Sequence, residues 1–437
     1  MAGFAQVQAS VLEGLLTGLR ELVESEAFRS AHRVKETDFT RRRCLTLPSL
    51  VFFLLQHMGG TALQEGLDTF FGALSDRMGA WRTVSKSALS QARKKLRPSA
   101  FVAMNRMWTS ALLAHMNDAG WHDRRVVAAD GTCVRVPGLP ENVDRYGVGP
   151  CGDGTVPMAR CVALYAVKSR QWLEVAVGRY DEGERDLLLK ALDQLDPNDI
   201  LVLDRGYPAW WLFAALQGRG VTYCARIEDC NWKDVQSLVR SDRQECRVSH
   251  KLSGRDRAKL RAYGLPDPKQ VELRLIKLRL PTGKWEVLAT SLTDSERYPA
   301  QDFGELYRGR WGIEEGFKLV KHRQHLEGFS GELPESVEQE IQAKIMLHNI
   351  VQAVCHKAQQ DLEANGRDHH QVNRAYAFKW AGRLILAAVK GCRRTLQQTI
   401  DALTQILGRT LERIRPNRSF PRKHAIGGAR RPRKSYR

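Results

Sequence analysis

Two aspartates in this sequence stand at the ends of short apolar runs. Asp130 follows Val126-Val127-Ala128-Ala129, and Asp204 follows Ile200-Leu201-Val202-Leu203. A carboxylate leaving a buried strand costs desolvation energy unless something compensates it. Two such acids on neighbouring strands make a natural cation site. Mg2+ suits it, because that ion takes hard oxygen ligands and completes its shell with substrate phosphate. Gly131 and Gly206 lie close to the two acids and are expected to leave room for a DNA backbone. Taken singly, each strand-Asp-Gly motif is also an ordinary turn.

A third acid sits in the segment from Glu305 to Arg323, which contains Tyr307, Arg310, Glu314, Lys318 and Lys321. On a helix each residue turns by about 100°. Relative to Tyr307, Arg310 then falls at roughly 300°, Glu314 at roughly 340°, Lys321 at roughly 320° and Lys318 at roughly 20°. Glu315 points about 100° away from Glu314. The pattern predicts one face with an aromatic, an acid and three cations, which suits a metal-binding carboxylate flanked by phosphate contacts. The competing reading is a solvated face with a Glu314–Lys318 helical salt bridge.

The elements that must position these residues follow from the apolar spacing. Residues 1–120 read as helical, with Val11, Leu15, Leu16, Leu19, Leu22 and Val23 at helical intervals. Ser85 is a candidate N-cap, and Lys86, Arg93, Lys94, Lys95 and Arg97 are expected on the helix that follows. That helix reads either as a DNA-recognition helix or as a solvated helix outside a bundle. From Arg125 the pattern changes to strands at 159–168, 172–180, 200–207 and 221–227, with helices at 185–195 and 208–216. Residues 121–227 are thus expected to be the first part of an α/β core, and 228–296 a β-rich insertion subdomain. Residues 297–335 complete the core, 336–407 return to helices, and 408–437 form a basic tail.

The 437 residues carry 68 Lys and Arg against 49 Asp and Glu, a net charge of +19. That excess points to an anionic partner, of which nucleic acid is the commonest. No apolar run reaches membrane-spanning length, which argues against a membrane, and the N-terminus lacks the features of a secretory signal. The nine cysteines are scattered, and Cys224, Cys230, Cys246 and His250 fit no common zinc template. They read as reduced thiols of a cytoplasmic protein.

Tyr307, Arg310, Glu314 and Lys321 stand in a Tyr-x2-Arg-x3-Glu-x6-Lys pattern. In this the chain resembles the DDE transposases of bacterial insertion-sequence family four. The same resemblance extends to Asp130-Gly131-Thr132, to Asp204-Arg205-Gly206-Tyr207 and to the long gap before Glu314. It covers about residues 30–435. It implies an RNase-H-like catalytic core with a β-rich insertion, flanked by an N-terminal helical DNA-binding region and C-terminal helices. It further implies two Mg2+ ions, replaceable by Mn2+, held by Asp130, Asp204 and Glu314. The activity implied is cut-and-paste transposition at terminal inverted repeats, by a homodimer on double-stranded transposon and target DNA, in a bacterial cytoplasm at the nucleoid. Tyr307, Arg310, Lys318 and Lys321 would grip phosphates, with Arg93, Lys94 and Lys95 as further DNA contacts. Trp285 would stack on a base, or else pack in the insertion. Two other readings share these residues: a nuclease without strand transfer, and a DNA-binding protein with a dead centre.

Overall fold

The computed structural model describes residues 7–41, 43–57, 62–75, 82–228, 232–280 and 283–414. The chain opens with helices α1 (Ala9–Glu24), α2 (Glu26–His32), α3 (Leu47–Gln56), α4 (Leu63–Leu74), α5 (Lys86–Arg93) and α6 (Ser99–His115). Thr46 and Ser49 close a reciprocal capping box that starts α3. Every residue from Leu47 to Leu55 except Pro48 is buried in this helix. A helix apolar on all sides needs cover on all sides.

That cover comes from the far end of the chain. Helices α14 (Pro334–Ala364), α16 (Ala381–Lys390) and α17 (Arg393–Arg409) pack with α1, α3 and α6 around one core. The described helices of 1–120 and those of 336–407, distant in sequence, therefore form a single layer. Neither set of amphipathic faces is buried without the other. The 31-residue α14 is its spine and is buried over most of its length.

The other layer is a ten-stranded sheet. Its strands are β1 (Ala119–Trp121), β2 (Arg124–Arg135), β3 (Val148–Cys151), β4 (Gly154–Ala166), β5 (Gln171–Arg179), β6 (Asp199–Leu203), β7 (Thr222–Ile227), β8 (Glu245–Lys251), β9 (Gln270–Arg279) and β10 (Trp285–Thr290). The central order is β5-β4-β2-β6-β7. The first three pair antiparallel, and β2, β6 and β7 run parallel. An antiparallel meander followed by parallel strands on its inner edge is the RNase-H-like arrangement. Helices α7 (Pro140–Tyr146), α8 (Glu184–Ala191) and α9 (Trp210–Gly218) connect these strands. Strands β2, β6 and β7 are covered on both faces, so they read as unbroken apolar runs.

The insertion does not stand apart. β10 pairs antiparallel with β7, then β9 and β8 follow, so residues 245–290 prolong the same sheet. Helices α10 (Lys233–Arg240) and α11 (Gly254–Ala262) lie within it. After it come α12 (Phe303–Gly309) and α13 (Trp311–Arg323). The short α15 (Arg374–Ala377) leads into α16. Most of the basic tail lies outside the described residues. No helix among the described residues is long and apolar enough to cross a membrane. All cysteines described are free thiols.

Candidate functional site

The parallel pairing of β2 with β6 sets Ala129 opposite Leu203. Asp130 and Asp204 are the next residues on the two chains, so the strand register places these acids side by side. Both are half-buried. Asp130 accepts from the Gly131 amide at 2.9 Å, and Asp204 accepts from the Gly206 amide at 2.8 Å. Burial, then the charge of Asp204 and more weakly that of Glu314, push the Asp130 carboxyl up to about 6. The Gly131 amide and Arg310 oppose that rise. The centre is therefore short of positive charge.

Glu314 approaches from α13. This helix lies close against the sheet because of Gly316, where a Cβ would come within 2.8 Å of the Trp172 ring. Lys321 ties the same helix to β2 by donating to the Cys133 carbonyl at 3.0 Å. Arg310 donates to Glu314 at 2.7 Å and is 7% exposed. Glu314 pairs with Arg310 and not with Lys318, the partner in the competing solvated-face reading, and Lys318 is exposed.

The single stripe expected from Tyr307 to Lys321 is not continuous. Tyr307 lies in the last turn of one helix and Glu314 in the first turn of another, with Arg310 at the joint. The joint is tightened by bonds three residues apart, from Arg310 to the Tyr307 carbonyl and from Ile313 to the Arg310 carbonyl. Nor is this an outward face. Tyr307 is 7% exposed and packs in the apolar cluster under β6 and β10. Burial pushes its hydroxyl well above the usual tyrosine range.

The donor set is all carboxylate oxygen, which fits a hard divalent cation. The raised Asp130 marks negative charge that such a cation would relieve. The three acids are near neighbours and not a finished cage. Among the described residues, no three His, Cys, Asp or Glu side chains stand close enough to enclose an ion. The Arg310 bond occupies the Glu314 carboxylate.

Other expectations change. Gly131 does not open the site to a DNA backbone. A Cβ there would meet the Glu184 carboxylate at 2.5 Å, so its smallness admits that acid. Arg93 is not a DNA contact. It is 2% exposed, pairs with Glu340 at 2.8 Å and donates to Gln339, Ser330 and the Ser336 carbonyl. Ser85 does cap α5, but the helix ends at Arg93. Lys94 and Lys95 therefore lie beyond it; Lys94 is exposed, and Lys95 lies 3.8 Å from Asp38. Trp285 opens β10 with 41% of its surface exposed, and Lys277 sits 4.6 Å from its ring centre. The next residue, Glu286, lies in the field of Arg310, so this end of β10 borders the acids.

Three neighbours escaped the sequence reading. Trp311 is 46% exposed and stacks beside Arg310 at 5.5 Å. Glu184 starts α8 and reaches β2 at Gly131, beside Asp130. Tyr207 is buried, and its unpartnered hydroxyl feels the charges of Glu184, Asp130 and Asp204. Trp311 and Tyr207 carried a signal, as aromatics inside the motifs themselves; Glu184 carried none.

Residues 121–350, just over half of the chain, match the family model described as a transposase DDE domain. The chain is 26% identical over 354 residues to the transposase InsG for insertion sequence element IS4 of Escherichia coli (strain K12), covering 78% of this chain and 76% of that one. It is also similar to a piggyBac transposase whose cryo-EM structure is a synaptic complex with hairpin DNA. That likeness has a TM-score of 0.43 and 9% identity, over 89% of this chain and 85% of the other, and adds nothing to the assignment.

Proposed function

The chain belongs to the DDE transposase family, metal-dependent enzymes that cleave and join DNA, and from that premise we propose that it moves an insertion sequence by cut-and-paste chemistry at terminal inverted repeats. The observation that carries this reading is the side-by-side placing of Asp130 and Asp204, with Glu314 close enough to raise Asp130 further.

In this reading Asp130, Asp204 and Glu314 hold two Mg2+ ions, with Mn2+ able to substitute. When bound, the ions supply activation of the attacking oxygen and stabilisation of the leaving oxygen. The protein's own residues do the rest. Asp130 must be deprotonated to act as a ligand, so cation binding would displace the proton that its raised carboxyl holds in the metal-free protein. Arg310 balances the charge of Glu314 and orients its carboxylate at the centre. Lys321 fixes α13 against β2, so Glu314 approaches from a rigid element. Tyr307 holds Arg310 from below. Lys318, exposed on α13, meets the DNA backbone. Trp285 offers an open ring at the start of β10 on which an unpaired base stacks. Lys94 and Lys95 supply contacts from the N-terminal helical region.

We read residues 121–227 and 297–335 as the catalytic core, 228–296 as its insertion, and 1–120 as the region that recognises transposon ends. The 336–407 helices and the 408–437 tail complete it. Two copies of the chain bring two ends together on target DNA, at the bacterial nucleoid. The test is a pre-cleaved transposon end incubated with a target plasmid and Mg2+. Joined product supports transposition. Hydrolysis without joining would make the chain a nuclease of the same fold.

A further inference from the structure

Asp204 does not lie within its strand. β6 ends at Leu203, so the acid opens the loop that runs to α9. Loop carbonyls have no ladder partner and must find donors elsewhere. Here three successive ones find the same donor. Arg185 gives its Nε to the Tyr207 carbonyl at 2.9 Å, and its Nη2 to the Gly206 carbonyl at 2.8 Å and the Pro208 carbonyl at 3.2 Å. The loop also closes on Asp204 itself. The Gly206 amide donates to the Asp204 carboxylate at 2.8 Å, and the Tyr207 amide to the Asp204 carbonyl at 3.2 Å. Gly206 thus holds Asp204 through its amide while Arg185 holds Gly206 through its carbonyl.

Arg185 stands on a firm base. It lies in the first turn of α8, and Leu187 and Leu188 of that helix are buried in one apolar cluster with Ala129 of β2 and Leu203 of β6. The residue before it, Glu184, fits against β2 where Gly131 leaves room, and lies 3.8 Å from Arg160 of β4. One helical turn therefore meets the segments that carry both aspartates. It meets β2 through Glu184 and the loop after β6 through Arg185. Arginine suits this place, because its planar fork reaches several oxygens at fixed angles, whereas the donors of a lysine all sit on one atom.

We propose that Arg185 is a positioning residue of the catalytic centre, clamping the carbonyls of residues 206–208 so that the Asp204 carboxylate stays beside Asp130. A functional group has to be held to within about 0.5 Å, which loops do less well than helices or strands. Bonding to α8 gives this loop the rigidity of the helix beneath it. Arg185 itself contacts neither ion nor DNA, and its effect passes through Asp204. This inference rests on the transposase reading, which supplies the metal that Asp204 would bind.

The test is Mn2+ binding by the full chain on a pre-cleaved transposon end, without target, read from the paramagnetic resonance of the free ion. D204N gives the blank. R185Q and R185K should each raise the Mn2+ concentration at half-saturation about tenfold, the usual size of an effect that acts through a ligand's support. In strand cleavage the Mg2+ requirement should rise in the same way, with the rate at saturating Mg2+ nearly restored. A merely structural arginine would leave the metal requirement of the folded fraction unmoved. R185K keeps the charge and loses the fork, so unchanged Mn2+ affinity in R185K would overturn the clamp, whether or not R185Q folds. Weakened binding of end DNA in EDTA would overturn it too, by making Arg185 a DNA contact. An unaltered chain that binds the end but takes up no more Mn2+ than D204N would instead overturn the metal centre on which the clamp acts.

Discussion

Two clusters of acids and bases in this molecule are built from the same residue types and are treated in opposite ways. Where the helical layer meets the turn after α13, Glu340 is buried and fully answered. It takes Arg93 at 2.8 Å, the Ser330 and Gly331 amides and the Ser330 hydroxyl. Those partners hold its carboxyl below the usual range against its burial. Lys344 lies 3.9 Å from it and donates to the His325 and Gly328 carbonyls. Burial still pulls Lys344 down to about 8. Midway along β2 and just past the end of β6, by contrast, the acids have two backbone amides and one arginine among them, and Asp130 rises to about 6. A compensated cluster fastens the fold, whereas an undercompensated one waits for a cation.

This contrast can be broken most severely at the open cluster. Asp204→Asn and Glu314→Gln should each lower strand cleavage on the order of 10³-fold or more, with circular dichroism and end binding retained. Retained cleavage in either variant would mean that the open cluster is not catalytic. At the closed cluster the effect should fall on stability. Glu340→Ala leaves Arg93 and Lys344 buried without their acid and should cost about 3–5 kcal/mol in denaturant unfolding.

Asp130→Asn sharpens the difference, because its sign is reversed. A carboxyl whose folded pKa is raised binds its proton more tightly in the folded chain. Its charge therefore weakens the fold progressively as pH rises from about 3.8 to about 6, and fully above that. Metal-free Asp130→Asn should be more stable than the unaltered protein by about 1–3 kcal/mol at pH 7.5, a gain that vanishes near pH 4. A loss of stability at pH 7.5 would show that Asp130 is compensated after all. The smallest effect belongs to neither cluster. Lys94→Gln should change stability by less than about 0.5 kcal/mol while weakening DNA binding a few-fold, as measured by fluorescence anisotropy.

The acids and the strands carrying them were legible in the sequence because a buried parallel strand admits little but apolar residues. A carboxylate at the end of Ile200–Leu203 stands out against that background. An α/β core followed from the alternation of strands and helices around them, and its RNase-H-like kind from the family resemblance; the strand order did not. The insertion was legible as strands but not as part of the same sheet, since pairing of β10 with β7 joins residues some sixty positions apart. The union of the first and last helices in one core was hidden for the same reason.

Charge misled where burial decided. Arg93 sits in a run with Lys94 and Lys95, and composition alone cannot tell the one cation that turns inward. The joint at Arg310 was equally invisible, because helical residues flank it on both sides and only the three-residue bonds betray the tightening. Lys321, expected to hold phosphate, spends its charge on the Cys133 carbonyl, a partner that no side-chain pattern reveals.

The account stands on Asp130, Asp204 and Glu314 sharing one metal centre. Its most direct test replaces Mg2+ with Fe2+ in the presence of end DNA and generates hydroxyl radicals at the bound ion. Backbone scission should appear together around residues 130, 204 and 314, and should disappear in Asp204→Asn. Scission confined to other segments, or unchanged by that substitution, would contradict it.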